Sequence, residues 1–255
     1  MALEFGMGFG RDKDKKQASL IVATDGTGDS DDIGEAIAML PDGVGSIFVK
    51  EGTYEIKTNI QPLLNGLTIF GAGKGTIVNC KVAGIAILLT GSSNVTIRDI
   101  KFVGTGSSSA LGWVGGSGNT IKDCFFSDFT TAGVWIGGTT IGGIISACEF
   151  DDNAIGVYLE ALQFGGGNIY CMRIINNYIH DSTGNGINMV QDGTANLDFT
   201  IIEGNNIQEN GGFGIDINQA GVDRTLIVGN IILNNTSGEI NDSGSNTTAA
   251  NNIIA

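Results

Sequence analysis

A chain of 255 residues with 42% hydrophobic content is long enough to bury a large core, and 41 glycines against 2 prolines predict many turns between short strands rather than amphipathic helices. A net charge of −14 excludes a nucleic-acid backbone as partner, because that binding needs a face rich in Lys and Arg. No apolar run is long enough to cross a bilayer, so membrane insertion is not expected.

Residues 1–17, "MALEFGMGFGRDKDKKQ", carry a basic cluster after the apolar stretch rather than before it. They read as a flexible N-terminal segment and not as a secretory signal, which leaves the compartment unassigned. The next stretch, "GDSDDIGEAIAML", predicts a single helix near 31–40. Ser30, Asp31 or Asp32 opens it, Glu35 stands in a capping-box place relative to Asp32, and Ile33, Ala36, Ile37 and Leu40 share one face before Pro41 stops it. "GSIFVKEGTYEI" and "LTIFGAGKGTIV" follow as strands. "GAGKG" lacks the spacing and the Lys-Ser/Thr ending of a phosphate loop, and reads as a turn between coils.

From residue 96 onward a repeat takes over. One apolar column runs Phe102, Phe126, Phe150, Ile179, Ile207, Ile232, Ile253, with steps of 24, 24, 29, 28, 25 and 21 residues. Such a period is too long for a hairpin and, without helices between units, too uniform for βαβ; successive coils of short strands account for it. Two residues upstream stand Ile100, Cys124, Cys148, Asn177, Asn205, Asn230 and Asn251. This column faces the same way, so the asparagines are expected to stack about 4.8 Å apart as an internal asparagine ladder. A second strand per coil places Val134 and Ile136, Val157 and Leu159, Ile187 and Met189, and Ile215 and Ile217 inward. Trp113, Trp135, Tyr158, Asn188 and Asp216 are then expected outward, a surface stripe whose aromatics would bind substrate by stacking on sugar rings, form a subunit contact, or pack beneath a loop. The four cysteines show no C-x-x-C pair and read as buried thiols. The last segment, "NNIIA", reads as a strand without a cap: either a partner covers that end, as in a homo-oligomer through this coil, or the natural protein continues.

The expected fold class is therefore all-β: a single-stranded right-handed parallel β-helix of about nine or ten coils, forming one domain over 18–255 with an N-terminal cap helix. "ATDGTGDSDDIGEAIAML", "GSIFVKEGTYEI", "LTIFGAGKGTIV" and the "NNYIHD…NGI" coils resemble the pectate-lyase superfamily over about residues 20–255. That resemblance implies the β-helix fold and a functional range from polysaccharide lyases, uronan epimerases and polygalacturonases to phage tailspikes and adhesins. The chain departs from the enzymes' best-known patterns. It has no "NTD", "DD" and "HG" set on later coils, no Arg-x-Pro-x-x-Arg and no Asp-Pro-His.

Two constellations carry candidate chemistry. Tyr178 and His180 are expected outward, with Glu149 and Asp151 one coil earlier; within about 5 Å this could join a general base, an acid and a charge partner. Arg173 and Lys122 lie near in sequence, but neither is placed on that face. Glu160 and Asp216 form a looser carboxylate pair, about 11 to 12 Å apart at Cα. No metal or cofactor is expected: "GGFGIDINQ" approaches one calcium-binding nonapeptide but has no tandem copies. The expectation from sequence is a rigid carbohydrate-facing recognition or structural module of the virion-spike or cell-surface type, with a polysaccharide or surface glycan as partner. The rival is a lyase, epimerase or hydrolase.

Overall fold

Each coil is bent by residues that adopt left-handed backbone between short runs of β-branched residues. In one coil these corners are Asn176 at φ 55°, Asp181 at φ 54° and Phe199 at φ 57°; in the next they are Gly204, Glu209 and Arg224, at φ 65°, 59° and 54°. A non-glycine residue gives up roughly 1–2 kcal/mol there, so corner positions recur only where stacking of the coils fixes them. The computed structural model describes residues 20–40, 44–61, 65–161 and 167–255. The expected flexible segment 1–17 and the helix stop at Pro41 lie outside these.

The strands stack in parallel, residue on residue. Phe150 pairs with Phe126 and Ile179, then Ile207 and Ile232. On the other sheet Val134, Val157, Ile187 and Ile215 form a second inward column, each with no exposed surface. The fold is an all-β right-handed parallel solenoid of about 9 turns, with one helix among the described residues. The rings of Phe102, Phe126 and Phe150 stack along its axis with centroids 5.4 and 4.9 Å apart. That helix, Ile33–Met39, is capped by Asp32, whose carboxylate accepts from the Glu35 N–H at 2.8 Å. Ile33, Ala36, Ile37 and Leu40 are all buried beneath it, so the helix covers strand ends that would otherwise be open.

Side-chain amides bond along the axis inside the cylinder. Nδ2 of Asn177 donates to Asn205 Oδ1 at 3.0 Å, Asn205 to Asn230 at 2.9 Å, and Asn230 to Asn252 at 3.0 Å. The second amide hydrogen goes to a carbonyl of the preceding coil, at Ile145, Ile174 and Ile202 in turn. Every polar atom at these buried positions therefore has a partner, the condition under which burying an amide is tolerated. The last member is Asn252, not Asn251. Asn251 occupies the left-handed corner at φ 55°, and Ile254, not Ile253, pairs with Ile232. A second column that the periodicity did not single out joins Asn210 to Asn235 at 2.8 Å one corner further on.

Two further expectations are corrected. Trp113 does not face outward: it has no exposed surface and pairs with the inward Ile136, while Gly112 pairs with Trp135. Matching tryptophan to tryptophan slipped the register by one residue, and a one-residue slip turns a side chain to the opposite face. Cys171 is exposed at a left-handed corner, whereas Cys80, Cys124 and Cys148 are buried. Burial pushes the Cys80 thiol up to about 12.

Candidate functional site: an aromatic strip and a histidine cluster

The first surface lies on the sheet whose outward column runs Leu88, Gly112, Trp135, Tyr158, Asn188, Asp216. The Trp135 indole lies down over Gly137, so closely that a Cβ at Gly137 would stand 2.7 Å from it. Glu160 fixes both rings. Its Oε2 accepts from the indole N–H at 2.9 Å and its Oε1 from the Tyr158 hydroxyl at 2.8 Å. Burial, and then the bond to Glu160, push the Tyr158 hydroxyl above the usual tyrosine range. With Leu88 leaning over Gly112, the result is a flat apolar strip with partly exposed, immobilised rings. Asn188 and Asp216 continue the column; Asn188 Oδ1 is buried without a hydrogen bond, whereas Asp216 is committed to structure. Asp216 is 8% exposed and accepts from the amides of Asn185 and Asn241. With Glu160 also engaged, the two carboxylates do not make a free hydrolytic pair.

The second surface assembles on the strands Glu149–Asp151 and Tyr178–His180, which pair Glu149 with Tyr178 and Asp151 with His180. The Tyr178 and His180 rings stack with centroids 4.0 Å apart. Nδ1 of His180 lies 2.7 Å from an Asp181 oxygen and 3.5 Å from an Asp151 oxygen; Nε2 lies 3.7 Å from Glu149 and is buried without a hydrogen bond. Gln208 donates to the Tyr178 hydroxyl at 2.9 Å. Burial raises the Asp151 carboxyl above its ordinary range; His180 opposes that rise, and Asp152, Asp181 and Glu149 add to it. Burial likewise raises the Tyr178 hydroxyl.

The cation at this surface is one that the sequence did not assign to it. Lys74 reaches Glu149 at 2.6 Å, across 75 residues of chain. It can do so because Gly71–Gly75 is not a turn between coils but an irregularity within the strand Leu67–Cys80, where the register to the next coil shifts on both sides of Gly73. Gly71 is required there, since a Cβ would stand 2.3 Å from the Asp99 carbonyl oxygen. Lys74 and Lys101 each place their ammonium 4.6 Å from the centre of the Phe125 ring, and a cavity of about 170 Å³ opens between Lys74, Asp123, Phe125 and Glu149. Arg173 instead pairs with Ile144 and Ile201 on a different strand, and Lys122 forms an ion pair with Asp123 at 3.4 Å.

A family model described as "Right handed beta helix region" matches residues 46–170. No curated protein sequence matches the chain. Among solved structures, the chain is similar to the Dettilon tailspike protein, with 18% identity, 91% of this chain and 52% of that one covered, and a TM-score of 0.64. The mannuronan C-5 epimerase AlgE6 A-module of Azotobacter vinelandii gives 16% identity, 81% and 61% coverage, and a TM-score of 0.61. A tailspike protein of the E. coli bacteriophage HK620, solved in complex with a hexasaccharide, gives 15% identity, 74% and 44% coverage, and a TM-score of 0.55. The chain thus spans about half the length of these proteins. Coil period, parallel register, the family-model match over residues 46–170 and these similarities agree on the fold: a right-handed parallel β-helix.

Proposed function

We propose that this protein is a polysaccharide-binding β-helix, a rigid recognition module that reads a surface glycan with the Leu88–Trp135–Tyr158 strip. The observation that carries the reading is the Trp135 indole laid flat over Gly137 and tied, with Tyr158, to Glu160. Sugar rings stack on such faces through their C–H edges, and rings that are already immobile lose little entropy on binding. The similarity to a tailspike solved with a hexasaccharide and to a mannuronan epimerase supports a glycan as the partner, and presentation on a virion or cell surface suits a module of this kind. The test is affinity measurement against a panel of capsular, lipopolysaccharide and uronan chains. Trp135→Ala is expected to weaken binding at least tenfold; unchanged affinity would remove the strip from the reading.

A second reading, turnover of a uronan at Glu149, Asp151, Tyr178 and His180, gains support from Lys74, which adds the cation that such chemistry needs for the substrate carboxylate. Unsaturated product or new reducing ends, lost in both Tyr178→Phe and Lys74→Ala, would establish it. Their absence with every substrate in the panel would leave binding alone.

A further inference from the structure

We propose that Asp151, His180 and Asp181 form a site for a divalent transition-metal ion such as zinc, with Nδ1 of His180 and one oxygen of each aspartate as ligands. The proposal is independent of glycan binding at the Trp135 strip. Three ligand atoms, one from each residue, lie within 4.8 Å of one another. His180 Nδ1 stands 2.7 Å from Asp181 and 3.5 Å from Asp151, close to the roughly 3.3 Å that separates ligands bound tetrahedrally at about 2.0 Å.

The other ring nitrogen supplies the independent observation. His180 is only 9% exposed, and its Nε2 is buried with no hydrogen bond, facing Glu149 Oε1 at 3.7 Å. A neutral imidazole that donates from Nδ1 to Asp181 turns the Nε2 lone pair toward a carboxylate. A metal on Nδ1 reverses this, placing the proton on Nε2, where it points at Glu149. Carboxylate, histidine and metal in that order are the usual arrangement around a ligating imidazole. Glu149 is itself held by Lys74, and the ring is held by stacking on Tyr178, so the imidazole is oriented before any ion arrives.

Charge points the same way. Glu149, Asp151 and Asp181 crowd one imidazole in a protein of net charge −14, and Lys74 answers only the first of them. The ligands come from two coils, with Asp181 turned back toward the ring by its left-handed backbone at φ 54°. An imidazole with two carboxylates suits zinc, manganese or cobalt better than calcium or magnesium, which prefer all-oxygen sets.

The experiment uses the full chain after chelator treatment and dialysis. It is titrated with zinc by calorimetry, with cobalt by visible absorption, and heated with and without zinc. One equivalent of zinc is expected to bind and raise Tm, and cobalt to give the intense visible band of a tetrahedral site. Affinity is expected to fall at least 100-fold in His180→Ala and at least tenfold in Asp181→Asn. Asp181 is exposed, so its amide variant tests the site even if His180→Ala does not fold. Excess calcium or magnesium should not displace zinc. Absence of zinc binding in the wild type, or binding unchanged in Asp181→Asn, would overturn the site.

Discussion

Two tryptophans illustrate how far a single residue's surroundings govern its role. Trp113 is sealed in the core and Trp135 lies on the surface strip, although both stand in similar Gly- and Val-rich strands. Trp113→Ala should therefore cost about 3–5 kcal/mol in denaturant unfolding, through lost transfer energy and the cavity left behind, whereas Trp135→Ala should cost far less and act on glycan affinity. Gly137→Ala probes the strip more finely. Its backbone is not in the left-handed region, but the new methyl would meet the indole at 2.7 Å, lifting the ring away from Glu160. The expected outcome is weakened glycan binding with the unfolding midpoint nearly unchanged. The outward face of Trp135 and the inward face of Asn177 were legible in the sequence, because period-two alternation fixes them. The facing of Trp113 was not, because two neighbouring positions fit the local pattern equally well.

At the level of the element, a coil is held by what the next coil offers it. Asn205 accepts from the backbone N–H and the side chain of Asn177, and itself donates to the Ile174 carbonyl and to Asn230. Asn205→Ala strands several of these groups in a dry interior, and should lower stability by about 3 kcal/mol, measured by guanidinium unfolding. The cap helix depends on local chemistry instead. Asp32→Ala removes the carboxylate that receives the Glu35 N–H and should cost about 1 kcal/mol. The helix and its buried face were readable because capping, the 3.6-residue period and the buried stripe all lie within one short segment. The last rung was not, since "NNII" supplies two asparagines and two isoleucines, and the left-handed corner at Asn251 decides which of each turns inward.

Across the whole molecule, charge sets the dependence on pH. Ion pairs with Lys81 and Lys57 hold the Glu55 carboxyl down at about 2 against an ordinary 4.5. A carboxyl depressed in the folded state contributes stability above its unfolded value and loses it as pH falls through the folded one. Lys81→Met should therefore lower stability at neutral pH and flatten its decline between about 4.5 and 2, the two curves converging below that window. Unfolding at fixed ionic strength checks this. What the sequence determined by itself was the winding: a period of about two dozen residues, an inward column of apolar and amide side chains, and a helix at the front all follow from alternation and spacing along the chain. Only the tertiary structure decided which coil's side chains meet. Lys74 stands beside Glu149 because of an irregular glycine-rich stretch three rungs away, and Asp181 joins the His180, Glu149 and Asp151 group, whose pairing the rung alignment already gave, because its corner turns it toward the ring. In a solenoid the neighbours of a surface residue lie one or more coils away, and loop lengths and irregularities between and within the strands, which no periodicity records, determine who they are.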